Sequence, residues 1–295
     1  MGHLEVVQEA MRNDGIDALL LGGEAAGFFV AGHTRIGVHP GGSVLPLTIV
    51  PSSGLPHVIT GDPDGATHLP EDHVHATRWS PMTLARDLPQ WLGGASGLRI
   101  GVDMLSPTAH SIIHGALTDC RLVDATWLLA SVMLPKSPEE IDEMAGLCRF
   151  VTAAAEEGLR HGKPALIAAL GGAFPITFPQ VSSSAVSVAI RRNGLVAEAR
   201  LGPGPPSLGE RALSALVPGA TVDDVASELP AAVEVIGLGW GFESPVLRNG
   251  MGSPSGLRLQ AGSVLAVRWA ACGVTIALGE KGIRFLSLEP NEVAR

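Results

Sequence analysis

No histidine lies beyond His161 in this 295-residue chain, and nearly all of its ten histidines sit in the first half. Imidazole is the commonest protein metal ligand and the usual proton carrier near neutral pH, so a site in the second half must do without it. Cysteine is as scarce. Cys120, Cys148 and Cys272 are odd in number and widely spaced, which excludes a disulfide framework and a CxxC metal knuckle and agrees with a reducing cytosol. Charged residues make up only 17%, there is no Lys/Arg run, and the formal net charge is −9, which argues against a nucleic-acid partner. No apolar run reaches the roughly 18 residues that span a bilayer. The acidic, amphipathic opening lacks the basic and apolar segments of a secretory signal. A soluble, cytoplasmic protein without membrane contact is expected.

What is present describes a compact, loop-rich protein. Hydrophobic residues reach 46%, and glycine and proline are plentiful, at 37 and 22. The length suits two domains, each able to bury its own core. A helix is predicted over 3–13, with Leu4, Val7 and Met11 on one face and Gly15 as its stop. Strands are predicted at 16–21, 28–31, 43–50, 57–60, 73–79, 98–102 and 121–123, and helices at 82–92 and 108–117. This alternation predicts an α/β domain over 1–134.

A boundary follows. Ser137 is placed to accept from the third helical position, Glu140 to reach back, and Pro138 suits the first helical turn, so a helix is predicted to run to about His161. Ile141, Met144, Cys148, Val151 and Ala155 form its apolar stripe. Strands at 176–180 and 185–190 precede a tight turn at Asn193-Gly194 and a return strand at 195–200. Helices at 209–216 and 221–229 and strands at 263–269, 274–278 and 283–287 complete a second domain over 135–295.

Five phrases lie in the order found in the creatinase, prolidase and aminopeptidase P family. LPKSPEEI (134–141) resembles the opening of that family's linker helix, and RNGLVAE (192–198) its metal-binding hairpin. ALVPGATVDDV (215–225) resembles its PG-x-T connection, FESPVL (242–247) its HE-x-P segment, and LQAGSVLAV (259–267) its L-x-x-G-M-V strand. The resemblance covers nearly the whole chain. It implies a creatinase-type α/β N-terminal domain, a shortened α+β pita-bread C-terminal domain, and a homodimer in which the N-terminal domain reaches toward the partner's site.

The departures are as informative. Metal-dependent members hold a pair of divalent ions with two aspartates, a histidine and two glutamates. Here the first aspartate matches Ser187 and the second Glu198. The metal-binding histidine falls at Glu234 or Val235, and the histidine of the HE pair is Phe242. The first glutamate matches Arg268, and the second falls at Cys272 or Gly273. A guanidinium is always charged and cannot coordinate a cation. Arg268 is therefore expected to take the metals' electrostatic place, balancing Glu198 and Glu243, and neither a metal nor another cofactor is expected. Creatinase works without metal, but the stretch matching its proton-shuttling histidine, 166–186, has no histidine and is shortened.

The remaining candidates depend on that resemblance. His33 is the available acid–base residue and Arg35 an anion anchor, both in a segment matching the one that enters the partner's site; a strand-end histidine on a solvated loop is the plain alternative. Glu198 and Glu243 are further proton-moving candidates. Trp240, Trp269 and Phe242 flank the segments expected to line the cavity with Arg268, although large aromatics more often belong to the core. His73 and His75 share a predicted strand face, and His110 and His114 a helix face, spacings that chelate one metal only if a third ligand joins them. Asp223 and Asp224 suit a helix N-terminus. Cys272 lies near the altered site, where a small buried residue is the plainer reading than a nucleophile. Gly237–Gly241 carries no phosphate-loop lysine. Two functions follow: a metal-independent enzyme acting on a small amide, amino-acid-like or guanidino-type ligand, or a non-catalytic pseudo-peptidase that binds a ligand or a protein.

Overall fold

The computed structural model describes residues 2–32, 47–60, 69–76, 81–94, 96–103, 107–175, 179–249 and 256–288. The chain divides into two compact units, Met1–Val132 and Met133–Arg295.

In the first unit, helix α1 (His3–Asn13) buries Val7 and Met11 and ends before Gly15, whose φ of +63° reverses the chain. Strand β1 (Ala18–Leu21) leads to α2 (Glu24–Ala31), β2 (Leu47–Pro51), β3 (His57–Thr60) and a 3-10 turn at Glu71–His73. Next come β4 (Val74–Ala76), α3 (Pro81–Trp91), β5 (Arg99–Val102), α4 (Pro107–Ala116), β6 (Arg121–Asp124) and α5 (Thr126–Met133). The six strands form one sheet in the order β4-β3-β2-β1-β5-β6. Leu20, Ile49, Ile59 and Ile100 of the sheet pack with Leu88 and Ile113 of α3 and α4 into a dry core.

The predicted strand at 28–31 is instead the end of α2. Phe28, Phe29, Val30 and Ala31 are all buried, so the run shows no helical period, and a short apolar run cannot announce which element it is. Gly32 closes the helix in the left-handed conformation. His73 lies in the 3-10 turn, not in the strand with His75.

The second unit opens on α6 (Pro138–His161). The Ser137 hydroxyl accepts from Glu140 N–H at 3.2 Å and the Glu140 carboxylate accepts from Ser137 N–H at 2.7 Å, the reciprocal cap read in the sequence. Its buried stripe includes Met144, Cys148, Val151 and Ala155. Helix α7 (Lys163–Leu170) and the short strands β7 (Phe174–Pro175) and β8 (Gln180–Val181) lead to the hairpin β9 (Val186–Arg192) and β10 (Leu195–Leu201). Helices α8 (Pro206–Ala215) and α9 (Val222–Glu228) precede β11 (Val233–Leu238), β12 (Phe242–Arg248), β13 (Val264–Trp269), β14 (Cys272–Gly279) and β15 (Gly282–Phe285). One sheet runs β12-β11-β13-β14-β10-β9-β7, with β15 on β14 and β8 on β9. Among the described residues no helix is long and apolar enough to cross a membrane.

Candidate functional site: an arginine–glutamate ladder

The strand registers place one row of residues straight across the second sheet. Arg248 on β12 faces Glu234 on β11, Glu234 faces Arg268 on β13, and Arg268 faces Gly273 on β14. Gly273 in turn faces Arg200 on β10, and Arg200 faces Ser187 on β9. Residues directly opposite one another share a face, and Glu198, two residues before Arg200, joins them by the strand's period of two. The register settles two alternatives left open by the sequence. Glu234 rather than Val235 stands in the row, since Val235 points into the core, and Gly273 rather than Cys272 does, since the Cys272 thiol donates to Gly202 C=O at 2.8 Å.

The charges alternate along the row. Arg248 Nε donates to Glu234 Oε1 at 2.7 Å, and Arg268 Nη1 donates to Glu234 Oε2 at 3.0 Å. Arg268 Nη2 donates to Glu198 Oε2, and Arg200 Nε donates to Glu198 Oε1. Both carboxylates thus hold a guanidinium on each oxygen. Exposure falls from the Arg248 side chain, 57%, through Arg268, 11%, to Glu198, 4%, and rises again at Arg200, 31%. Burial acts to raise the Glu234 carboxyl, but hydrogen bonds and charge from Arg248 and Arg268 outweigh it and hold the group below its ordinary range. Among the described residues, three guanidiniums against two carboxylates leave the row one positive charge in surplus.

Gly273 is needed where it stands. A Cβ there meets Arg200 Cβ and Val267 C=O, each at 3.3 Å, so a side chain would displace Arg200.

Glu243 belongs to a different cluster, which corrects the expectation that Arg268 balances it. Its Oε2 accepts from Lys136 Nζ at 2.9 Å and its Oε1 from Trp240 N–H at 2.5 Å, with both charged side chains almost fully buried. Lys136 Nζ also donates to the carbonyls of Met133 and Leu134. Burial pushes the Glu243 carboxyl above its ordinary range against the pull of Lys136. This knot ties the start of α6 to the turn between β11 and β12, where the Trp240 carbonyl also accepts from Arg191 Nη2 at 3.2 Å.

Trp269 does not line the ladder. It is 1% exposed, one residue along β13 from Arg268 and therefore on the opposite face, with its ring packed on Gly204 and on Gly209 of α8. The side chain of Phe242, like His33 and Arg35, lies outside the described residues. Burial, partly opposed by a hydrogen bond with Thr275, pushes the Cys148 thiol up to about 12. Asp224 acts at the start of α9, where its N–H donates to the Thr221 hydroxyl at 3.1 Å. His110 and His114 stack on α4 with ring centroids 6.3 Å apart.

The row does not fit a pair of divalent ions. A permanently protonated guanidinium stands at the position that the resemblance matches to a glutamate ligand and already binds Glu198, the one carboxylate kept from that set, and Glu234. Among the described residues, no group of three or more His, Cys, Asp or Glu side chains is placed to hold a metal. Sequence reasoning missed Arg200, Arg248 and Lys136 as members of these clusters. Arg200 was legible as the residue sharing Glu198's face; Arg248 and Lys136 needed the register and the tertiary contact.

No protein-family model and no curated protein sequence matches the chain. Solved structures do match it. A recombinant prolidase from Thermococcus sibiricus superposes with a TM-score of 0.72 over 98% of this chain and 97% of that one, at 14% identity. An X-Pro aminopeptidase from Thermotoga maritima gives 0.69 over 98% of both chains, at 15% identity. The N-terminal domain of the FACT complex subunit SPT16 from chickpea, Cicer arietinum, gives 0.61 over 99% and 97%, at 12% identity. At these identities the likeness is one of fold. The chain has the architecture shared by prolidases, dipeptidases and X-Pro aminopeptidases, a creatinase-type α/β domain followed by a pita-bread domain.

Proposed function

We propose that the protein is a metal-independent member of this fold that binds a small carboxylate-bearing molecule over the ladder, and that it does not hydrolyse X-Pro peptides. The observation that carries the reading is the row itself, in which Arg268 bridges Glu198 and Glu234 at the positions matched to metal ligands. The surplus positive charge favours a monoanion, and the two partly exposed ends of the row, Arg200 and Arg248, suit a carboxylate, which guanidinium recognises in a planar, two-pronged way. A row without a task is built more cheaply from apolar side chains than from buried ions, which supports a retained polar task.

Catalysis on a small amide or guanidino ligand has weaker support. A general base needs an oxygen within reach of the substrate proton, and Glu198 gives both of its oxygens to arginines. A non-catalytic protein-binding role is the second reading. It draws support from the likeness to a domain of a named complex subunit.

Calorimetric titration of the full chain with N-acetylglycine, proline, creatine and glycyl-proline tests the proposal. Binding of at least one probe, lost in Arg200→Met with the fold intact, is expected. Binding of none of them, or glycyl-proline cleavage on addition of manganese, overturns it.

A further inference from the structure

The first unit holds a cluster of imidazoles that the ladder does not use. His57 on β3 and His75 on β4 lie on the face of the sheet that carries Ile59, since Ile59 pairs with His75 in a parallel register, and His73 of the 3-10 turn stacks on His57. His57 Nδ1 lies 3.0 Å from His75 Nε2. The two ring centroids are 5.2 Å apart, longer than the nitrogen separation by about the two ring radii, so the nitrogens face each other nearly in line. That is the geometry of one N–H donating to one bare nitrogen, not of two lone pairs converging on an ion. His73 stacks on His57 at 4.2 Å and anchors its own Nδ1 at 3.1 Å from the Pro56 carbonyl. His75 stacks on Trp91 of α3 at 4.3 Å.

We propose that the His57–His75 hydrogen bond is a proton-operated clamp that holds the edge strand β4 and its 3-10 turn on the first sheet at neutral pH and releases them in acid. The bond needs one donor and one acceptor. A neutral pair satisfies it, and a pair carrying one added proton still does. A second proton leaves two donors face to face, with the His73 ring stacked on His57. Burial, followed by the charges of neighbouring histidines, holds both His57 and His75 below the ordinary histidine range. The acidic groups facing the cluster among the described residues are Asp72 of the turn and Asp87 of α3, and Asp87 is engaged by Arg86 at 2.5 Å. Because the folded values are lowered, the unfolded edge takes up protons first as pH falls below the ordinary value of 6.5, and the clamp's contribution declines from there down through the folded values.

Amide hydrogen exchange of the full chain between about pH 7.5 and about pH 5, corrected for intrinsic rates, reads the clamp directly. Protection of the β3 and β4 amides is expected to fall by roughly tenfold or more, while β1 and β5 stay protected. His57→Phe with His75→Phe keeps the stacking surface and is expected to abolish the pH dependence. Imidazole nitrogen shifts of the wild type give a readout that does not depend on a variant folding, with midpoints for both rings below the ordinary value expected. Unchanged protection in acid, the same loss in the double variant, or midpoints at or above the ordinary value would overturn the proposal.

Discussion

Replacing Arg268 with methionine tests the ladder where it is most buried. The change removes both terminal nitrogens that bridge Glu198 and Glu234 but keeps an unbranched stem of similar reach. Among the described residues, Glu198, at 4% side-chain exposure, then keeps Arg200 alone, while Glu234 keeps Arg248 at the open end. Removing one partner of a buried ion pair costs about 3–5 kcal/mol because the other charge stays desolvated. The remaining Arg200 bond and the partial exposure of Glu234 place the expected cost near the low end, about 3 kcal/mol. Arg248→Met works on the same row at its exposed end, where pairs contribute about 1 kcal/mol or less. Denaturant unfolding followed by near-ultraviolet dichroism, to which the buried Trp269 contributes, reads both. Adding Glu198→Gln to Arg268→Met removes the stranded carboxylate charge and is expected to recover part of the loss. Equal, small effects of Arg268→Met and Arg248→Met would refute the reasoning, because they mean the interior of the row is solvated as freely as its end.

Three further outcomes follow from the same geometry. Glu234 is held below its ordinary carboxyl value of 4.5, so its contribution is complete above that value and disappears as pH falls through the lower folded value; Glu234→Gln is expected to flatten that part of the acid unfolding curve measured by dichroism. Gly273→Ala places a methyl group 3.3 Å from Arg200 Cβ and is expected to weaken carboxylate-probe binding in calorimetry at least as strongly as it lowers the unfolding midpoint. Among the cysteines, Cys148 and Cys272 have thiols raised by burial, so alkylation of the native chain at neutral pH, read by mass spectrometry, is expected at half-buried Cys120 first.

The fold was legible in the sequence wherever local chemistry and tertiary structure agree. The Ser137–Glu140 cap, the Asn193-Gly194 hairpin turn and Thr221 at the start of α9 are each fixed by residues a few positions apart, and all three stand as read. Burial on all sides erases periodicity in α2, and the similarly apolar runs of α5 and α7 carry no helical period that the sequence alone reveals. The site was legible only in outline. Ser187, Glu198 and Arg268 follow from motif order, but their neighbours depend on register, which a one-residue slip inverts. That slip separates Glu234 from Val235, Gly273 from Cys272, and Arg268 on the open face from Trp269 in the core. Glu243 looked like a ladder member because its segment resembles a family motif, yet its partner is Lys136, 107 residues earlier in the chain.

The central claim is that arginine has replaced metal in this row, and metal analysis of the purified full chain tests it most directly. After exposure to manganese, cobalt or zinc and removal of loosely held ions, the account predicts no tightly bound divalent ion that depends on Glu198. A pair of tightly bound divalent ions per chain, lost on Glu198→Ala, would contradict it.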